Sequence, residues 1–167
     1  MRPAPRRDAA ASESKLKEGS RPDAVAVLVL RGEGESAEVL LLRRAGGAFA
    51  GAWTFVMGGV EDGERATDAA RRELREETGL SLRTLFTAGE LDAFYDPVRD
   101  RIVHVPFFVA HVGGGAIVLE HDVHDEHRWV RFAEAERMLE FSSQRRVLDE
   151  VRRAFVLRAP APWRTIR

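Results

Sequence analysis

The sequence predicts an α+β (mixed α/β) domain, in which a mixed sheet carries helices on its faces. Short apolar, β-branched segments come first, one clear helix interrupts them, and more strands and then amphipathic helices follow. The chain has 167 residues, of which 44% are hydrophobic. A chain of this size suits a single domain with one buried core.

The first elements are a strand pair and a glycine-rich loop. The run AVAVLVLR at 24–31 predicts a buried strand, and EVLLLRR at 38–44 predicts a second strand that pairs with it across the turn GEGES. A loop rich in glycine then leads to a short strand, TFVMGGV at 54–60. Residues 1–22 are rich in Ala, Ser, Pro and charge, and we expect a disordered tail there.

The clearest helix runs from Glu64 to Thr78, and Gly79 is placed to end it. Residues 82–95 and 102–112 predict two strands joined by a loop. The glycines at 113–115 predict a hairpin turn that leads into a further short strand at 116–119.

The last third of the chain predicts one strand and two helices. The strand covers 127–132, a short helix follows at 132–141, and a final amphipathic helix runs to about Leu157. Ser142 or Ser143 is expected to cap that helix. We therefore expect a domain at 23–158, followed by a Pro-rich end at 159–167.

Composition excludes several classes of protein. The chain has no cysteine, which excludes disulfides, Fe–S clusters and cysteine nucleophiles. It has no run of about 18 apolar residues and no apolar stretch near its start, so neither a membrane span nor a secretory signal is expected. The net charge of −1 gives no reason to expect binding to a nucleic acid polymer. A cytoplasmic protein is the expectation.

Three carboxylates at helical spacing carry the chemistry. Glu73, Glu76 and Glu77 occupy positions i, i+3 and i+4, which share one face of a helix. Two like charges about 5 Å apart repel by roughly 3 kcal/mol at an effective dielectric near 20. A cluster of hard oxygen ligands suits Mg²⁺ or Mn²⁺. The alternative is a solvated helix whose acids pair with neighbouring arginines.

The segment GGVEDGERATDAARRELREETGL resembles the Nudix box, G-x5-E-x7-R-E-U-x-E-E-x-G-U, where U is a bulky aliphatic residue. Every fixed position of that pattern is matched. The matching residues are Gly58, Glu64, Arg72, Glu73, Leu74, Glu76, Glu77, Gly79 and Leu80. The resemblance extends over roughly residues 23–158, and it favours the metal site over the solvated helix.

The resemblance implies an αβα sandwich and a hydrolase that cleaves a nucleoside diphosphate linked to another group. It implies that Glu73, Glu76, Glu77 and the Gly58 carbonyl bind Mg²⁺, for which Mn²⁺ can substitute. Glu76 and Glu77 would be catalytic. Glu64 and Arg72 would form the internal pair that orients the loop of the box.

Segments outside the box, such as FYDP, VPFFVA and FSSQRRVL, look most like the dATP pyrophosphohydrolase-type branch. That branch converts nucleoside triphosphates to the monophosphate and pyrophosphate. The alternatives are a hydrolase of ADP-ribose or of dinucleoside polyphosphates, and a non-catalytic module that senses nucleotides. The expected partner is a small nucleotide, and a homodimer is left open.

The branch that this chain resembles places a Glu-His pair before a late tryptophan, where the Glu is an extra metal ligand or base. Counting back from Trp129, those positions fall on Val123 and His124. Glu120-His121 repeats the pair three residues earlier, so either the loop is longer here or the role of the Glu is lost or moved. Glu120 is the first choice for the acid and a third catalytic residue, ahead of Asp122 and Glu126.

Four further residues are weaker candidates for substrate binding. Arg43 and Arg44 end a strand that should point toward the site, and an arginine there could bind phosphate. Trp53 could stack on a base, and Tyr95 follows the box at a distance associated with substrate choice in the family.

His121, His124 and His127 raise the alternative of zinc, but their spacing on a non-helical stretch favours a polar loop. Gln144 and Arg145 are expected at the surface or as caps.

Overall fold

The computed structural model describes residues 20–167, so most of the predicted tail at 1–22 lies outside the described residues. The strands are β1 (Ala24–Arg31), β2 (Glu38–Arg44), β3 (Trp53–Thr54), β4 (Val56–Gly59), β5 (Leu82–Asp96), β6 (Arg101–Val112), β7 (His124–Arg131) and β8 (Thr165–Ile166). The helices are α1 (Ala66–Thr78), α2 (Phe132–Met138) and α3 (Ser142–Val151), and a π-helical turn at Arg152–Val156 continues α3.

Strand β1 lies at the centre of one mixed sheet. It pairs antiparallel with β2 near its end and with β4 near its start, and parallel with β6 on its other edge. Strand β2 also pairs with β3 and β7, and β5 forms a long hairpin with β6. The predicted hairpin of β1 and β2 is therefore confirmed, and the parallel pair makes the sheet mixed.

Both faces of the sheet are covered by helices. Residues 25–30 of β1 are all buried, because alternate side chains enter two different cores. One core contains Val25, Val27 and Val29 of β1 together with Ala69, Ala70 and Leu74 of α1. The other core contains Ala26, Leu28 and Leu30 of β1 together with Val147, Leu148 and Val151 of α3. The predicted αβα sandwich is thus confirmed.

Helix α1 begins two residues later than predicted and ends as predicted. Its small residues Ala69 and Ala70 are fully buried, which lets the helix lie close to the sheet. Gly79 follows the last helical residue with φ of 69°, a left-handed conformation that glycine adopts without strain, and its N–H donates to the Arg75 carbonyl over 2.8 Å.

The prediction of a strand at 116–119 is wrong. Residues 113–120 carry no regular structure, and the N–H of Val118 donates to the carbonyl of Thr78 at the end of α1 over 2.9 Å. The segment is thus attached to the helix end rather than to a neighbouring strand. The next strand, β7, begins at His124, three residues earlier than predicted.

The prediction of a serine cap on the last helix is also wrong. Phe141 occupies the cap position without a side-chain hydrogen bond, and Ser142 is already helical. Arg145 reaches back instead, and its guanidinium donates to the carbonyls of Leu139 and Glu140 just beyond α2. Helix α2 accordingly ends at Met138, short of the predicted 141.

The Pro-rich end is docked on the sheet. Strand β8 pairs with β5, and Arg164 lies over the rings of Phe155 and Trp163, at 5.6 and 4.6 Å from their centroids. Within residues 20–167, no helix combines the length and the apolar character that crossing a membrane requires.

Candidate active site

Arg72 connects the loop of the box to the acids of α1. Its guanidinium donates twice to the carboxylate of Glu64, over 3.0 Å each, and to the carbonyl of Gly59 over 2.8 Å. The remaining nitrogen donates to Glu73 over 2.6 Å and to Glu76 over 3.0 Å. Planar Arg donors suit this forked arrangement. The structure therefore brings the loop and two of the three predicted helix acids to one guanidinium.

Glu64 lies just before the helix and holds the loop. Besides the two bonds from Arg72, its carboxylate accepts the N–H of Glu61 over 3.0 Å. The hydrogen bonds from Arg72 are the main reason that the pKa of Glu64 lies below its ordinary value. Glu64 is thus kept ionised as the partner of Arg72.

Gly58 makes room for a carboxylate. A Cβ atom added at Gly58 would overlap the carboxyl group of Glu73. Burial raises the pKa of Glu73, although Arg72 opposes that effect. A side chain at this position would therefore displace the Glu73 carboxylate from the space that it occupies.

Glu77 is the buried acid of the three. One carboxylate oxygen accepts the N–H of Met57 over 3.3 Å, and the other lies 3.9 Å from Nδ1 of His124. Burial is the main cause that raises the pKa of Glu77 to about 8, and the charge of Glu73 adds to it. The charge of Arg44 acts in the opposite direction.

Strands β2 and β7 place two more polar groups beside Glu77. Arg44 and His124 are paired in the register of these strands, next to an irregularity between Arg43 and Arg44. His124 is buried, and burial followed by the charge of Arg44 lowers its pKa to about 4. His121 and His127 are exposed, so the three histidines do not share an environment.

Buried polar atoms without a hydrogen-bond partner concentrate here. In the described part of the chain they are Nε of Arg44, both ring nitrogens of His124 and Oε1 of Gln144. Gln144 is buried, which contradicts the surface role expected for it, and its amide nitrogen donates to Thr54 and to the sulfur of Met57. The helical spacing of α3 would have indicated that Gln144 is buried, since Gln144 shares a face of the helix with Val147 and Leu148.

The acids after residue 119 differ in their surroundings. Glu120 is exposed, and its charge is the smallest of the causes that raise the pKa of Glu77. The carbonyl of Glu120 accepts the N–H groups of Val123 and His124, which forms the turn before β7. Glu126 is paired with Arg43 and Arg128, and Asp122 is exposed.

The weaker candidates for substrate binding lie on strands β2 and β3 and at the tip of the β5–β6 hairpin. Arg43 binds Asp125 and Glu126, each over 2.8 Å. Trp53 is half-buried, and the guanidinium of Arg128 lies 5.1 Å from its ring centroid. Tyr95 is exposed at the tip of the β5–β6 hairpin, where its hydroxyl donates to Asp100 over 2.8 Å.

The donor set suits a hard divalent cation. Glu73, Glu76, Glu77 and the Gly58 carbonyl are all oxygen ligands, and the space beside Gly58 already accepts a carboxylate. No group of three His, Cys, Asp or Glu side chains between residues 20 and 167 is arranged to hold a metal ion. Glu73 and Glu76 are instead turned to Arg72, so metal binding would require these two carboxylates to reorient.

The site thus combines a glutamate-rich helix with a strand that contains Gly58 and Gly59, on a mixed sheet that lies between helices. Residues 20–151 match the NUDIX domain family. Because this match covers well over half of the sequence, the chain belongs to the NUDIX domain family.

The chain is similar to several curated proteins. It is 34% identical over 137 residues to an octanoyltransferase from Myxococcus xanthus, covering 78% of this chain and 36% of that protein. It is 39% identical over 89 residues to an oxidized purine nucleoside triphosphate hydrolase from Mus musculus, covering 53% of this chain and 54% of that protein. The chain spans 36% of the first relative and 31% of an RNA pyrophosphohydrolase from Bartonella bacilliformis.

Solved structures show the same fold. The NUDIX domain of Shewanella oneidensis NrtR, solved with ADP ribose, has a TM-score of 0.67 at 15% identity and covers 80% of this chain and 88% of that chain. A NUDIX hydrolase from Nitrosomonas europaea has a TM-score of 0.63 at 18% identity and covers 80% and 90%. These likenesses concern the fold alone.

Proposed function

We propose that this domain, residues 23–158, is a Mg²⁺-dependent pyrophosphohydrolase. Its substrates in this proposal are nucleoside triphosphates, which it cleaves between the α and β phosphates to the monophosphate and pyrophosphate. We further propose that it acts in the cytoplasm, where such small nucleotides are found.

One observation carries the proposal: three carboxylates of α1 gather at a strand whose glycine leaves space for one of them. Gathering these charges is unfavourable without a cation, and the guanidinium of Arg72 neutralises only the two nearest to it. Mg²⁺, when bound, would neutralise charge on the phosphates and lower the pKa of an attacking water.

The residues of the site have separate roles in this proposal. Glu73, Glu76, Glu77 and the carbonyl of Gly58 hold the cation, while Arg72 and Glu64 keep the loop in place. Glu120, whose charge adds slightly to the raised pKa of Glu77, takes the proton of the attacking water on its carboxylate.

The substrate contacts are assigned to β2 and β3. Arg44 has an unpaired buried Nε and so offers a donor to a phosphate oxygen. Trp53 offers a half-buried ring for stacking on the base. The names of relatives that hydrolyse nucleoside triphosphates support this substrate class over ADP-ribose and dinucleoside polyphosphates.

A substrate panel tests the proposal. The value of kcat/KM is measured with Mg²⁺ for dATP, other triphosphates, ADP-ribose and diadenosine polyphosphates, and the products are separated by chromatography. Monophosphate and pyrophosphate from triphosphates are the expected products. A tenfold preference for ADP-ribose or a dinucleoside polyphosphate would overturn the substrate class, and undiminished activity in excess EDTA would overturn the metal.

Binding without turnover is the outcome that favours a sensing module. A nucleotide that raises the melting temperature but is not cleaved with Mg²⁺ or Mn²⁺ would exclude the enzyme. Glu77→Gln serves as the matched inactive protein in this assay, since it keeps the shape of the side chain and removes its charge.

A further inference from the structure

His124 is held in a fixed position beside Glu77. The backbone N–H of His124 donates to the carbonyl of Glu120 over 2.9 Å, and His124 is paired with Arg44 across strands β2 and β7. The side chain is 1% exposed, and Nδ1 lies 3.9 Å from one carboxylate oxygen of Glu77. These contacts fix the backbone from which the buried ring projects.

The imidazole has no hydrogen-bond partner in this arrangement. Neither ring nitrogen is paired within residues 20–167, although both are buried. An unsatisfied buried polar group costs about 1–3 kcal/mol. A leucine or phenylalanine would fill this space without that cost, so an imidazole here indicates a partner that is engaged in another state of the site.

Glu77 is the group within reach. Its other oxygen is already anchored by the N–H of Met57, so the carboxylate can turn about that contact. A movement of about 1 Å would bring the 3.9 Å separation into hydrogen-bond range. Carboxylates that bind metal ions are themselves usually held by a hydrogen bond from an outer residue.

We propose that His124 is a positioning residue, whose Nδ1–H donates to Glu77 and holds that carboxylate in the orientation that binds the cation. The inference rests on the proposed function, because it assigns Glu77 to the metal. In this proposal His124 contacts neither substrate nor cation and acts through Glu77.

The test is the affinity for Mn²⁺, measured by calorimetry without substrate. The variants are His124→Phe, which removes the donor, His124→Asn, whose amide reaches the place of Nδ1, and His124→Gln, whose amide reaches the place of Nε2. The matched control is His111→Phe, since His111 packs against the rings of Phe86 and Phe155, which belong to the core on the α3 side of the sheet. The melting temperature of each metal-free protein checks its folding.

His124→Phe and His124→Gln are expected to weaken Mn²⁺ binding by about tenfold or more, within the range known for such outer residues. His124→Asn is expected to stay within about threefold of the original protein, as is His111→Phe. Equal affinities for the Asn and Gln variants would overturn the inference, and this comparison stands even where the Phe variant does not fold. Absence of Mn²⁺ binding by the unmodified protein would overturn the proposed function instead.

Discussion

Glu76 and Glu77 are neighbours on α1 and lie in opposite electrostatic surroundings. The Glu76 side chain is 48% exposed and lies 3.0 Å from the guanidinium of Arg72. The Glu77 side chain is 4% exposed and faces the unpaired ring of His124. One carboxylate is neutralised by a permanent cation, whereas the other is buried with its charge largely uncompensated.

The difference separates two tasks within one helix turn. Arg72 joins Glu76 and Glu73 to the loop through Glu64, so that side of the cluster maintains the shape of the box. Glu77 keeps its carboxylate available, at the expense of a raised pKa. The site therefore places its unfavourable charge where a ligand cation would relieve it.

The largest expected effect comes from removing either charge. Glu77→Gln and Glu76→Gln are each expected to lower kcat by about a hundredfold or more, because each removes a carboxylate assigned to the cation. Steady-state kinetics with Mg²⁺ and dATP measure the effect. The comparison of the two acids would break down if Glu77→Gln kept a near-normal kcat while Glu76→Gln did not.

Replacing the permanent cation has a smaller effect of a different kind. Arg72→Lys keeps the charge but cannot donate to Glu64, Glu73 and Gly59 together, and we expect it to cost about 2 kcal/mol of unfolding free energy along with activity. Urea unfolding of the metal-free protein measures the loss. Arg71→Lys, on the same helix, is the matched control, and equal stabilities of the two variants would contradict the assigned role of Arg72.

Much of the box could be predicted from the sequence because it is local. The spacing of Glu73, Glu76 and Glu77 determines which face of the helix they share, and Gly79 marks the helix end. Glu64 and Arg72 meet because eight residues return the loop to the first turns of α1. Such contacts depend on short segments, which sequence patterns describe well.

The rest of the site depends on pairing between distant strands. His124 reaches Glu77 because β7 begins at His124 and places it opposite Arg44. A strand predicted to begin at residue 127 does not include this pair. The segment at 116–119 looked like a strand because of its apolar residues. Its backbone binds the end of α1 instead, a tertiary contact that overrides local preference.

Adding a cation should sharpen the contrast between the two acids. Mg²⁺ or Mn²⁺ at ten times its dissociation constant is expected to stabilise the folded protein by about 1.4 kcal/mol, since it binds the folded state alone. Thermal unfolding with and without EDTA measures the shift in melting temperature. Glu77→Gln should lose most of this shift, and a full shift in that variant would show that the cation binds elsewhere.

A further expected effect is a dependence of stability on pH to which Glu77 contributes. Its pKa in the folded protein, about 8, lies above the ordinary value of 4.5, so the folded state binds the proton more tightly than the unfolded state does. Its contribution to stability is therefore fully present below pH 4.5 and is lost as the pH rises through about 8. Urea unfolding in EDTA between pH 5 and 9 should show the original protein losing stability relative to Glu77→Gln over that range. Parallel curves for the two proteins would mean that Glu77 is as well compensated as Glu76, and the contrast between the two neighbours would be lost.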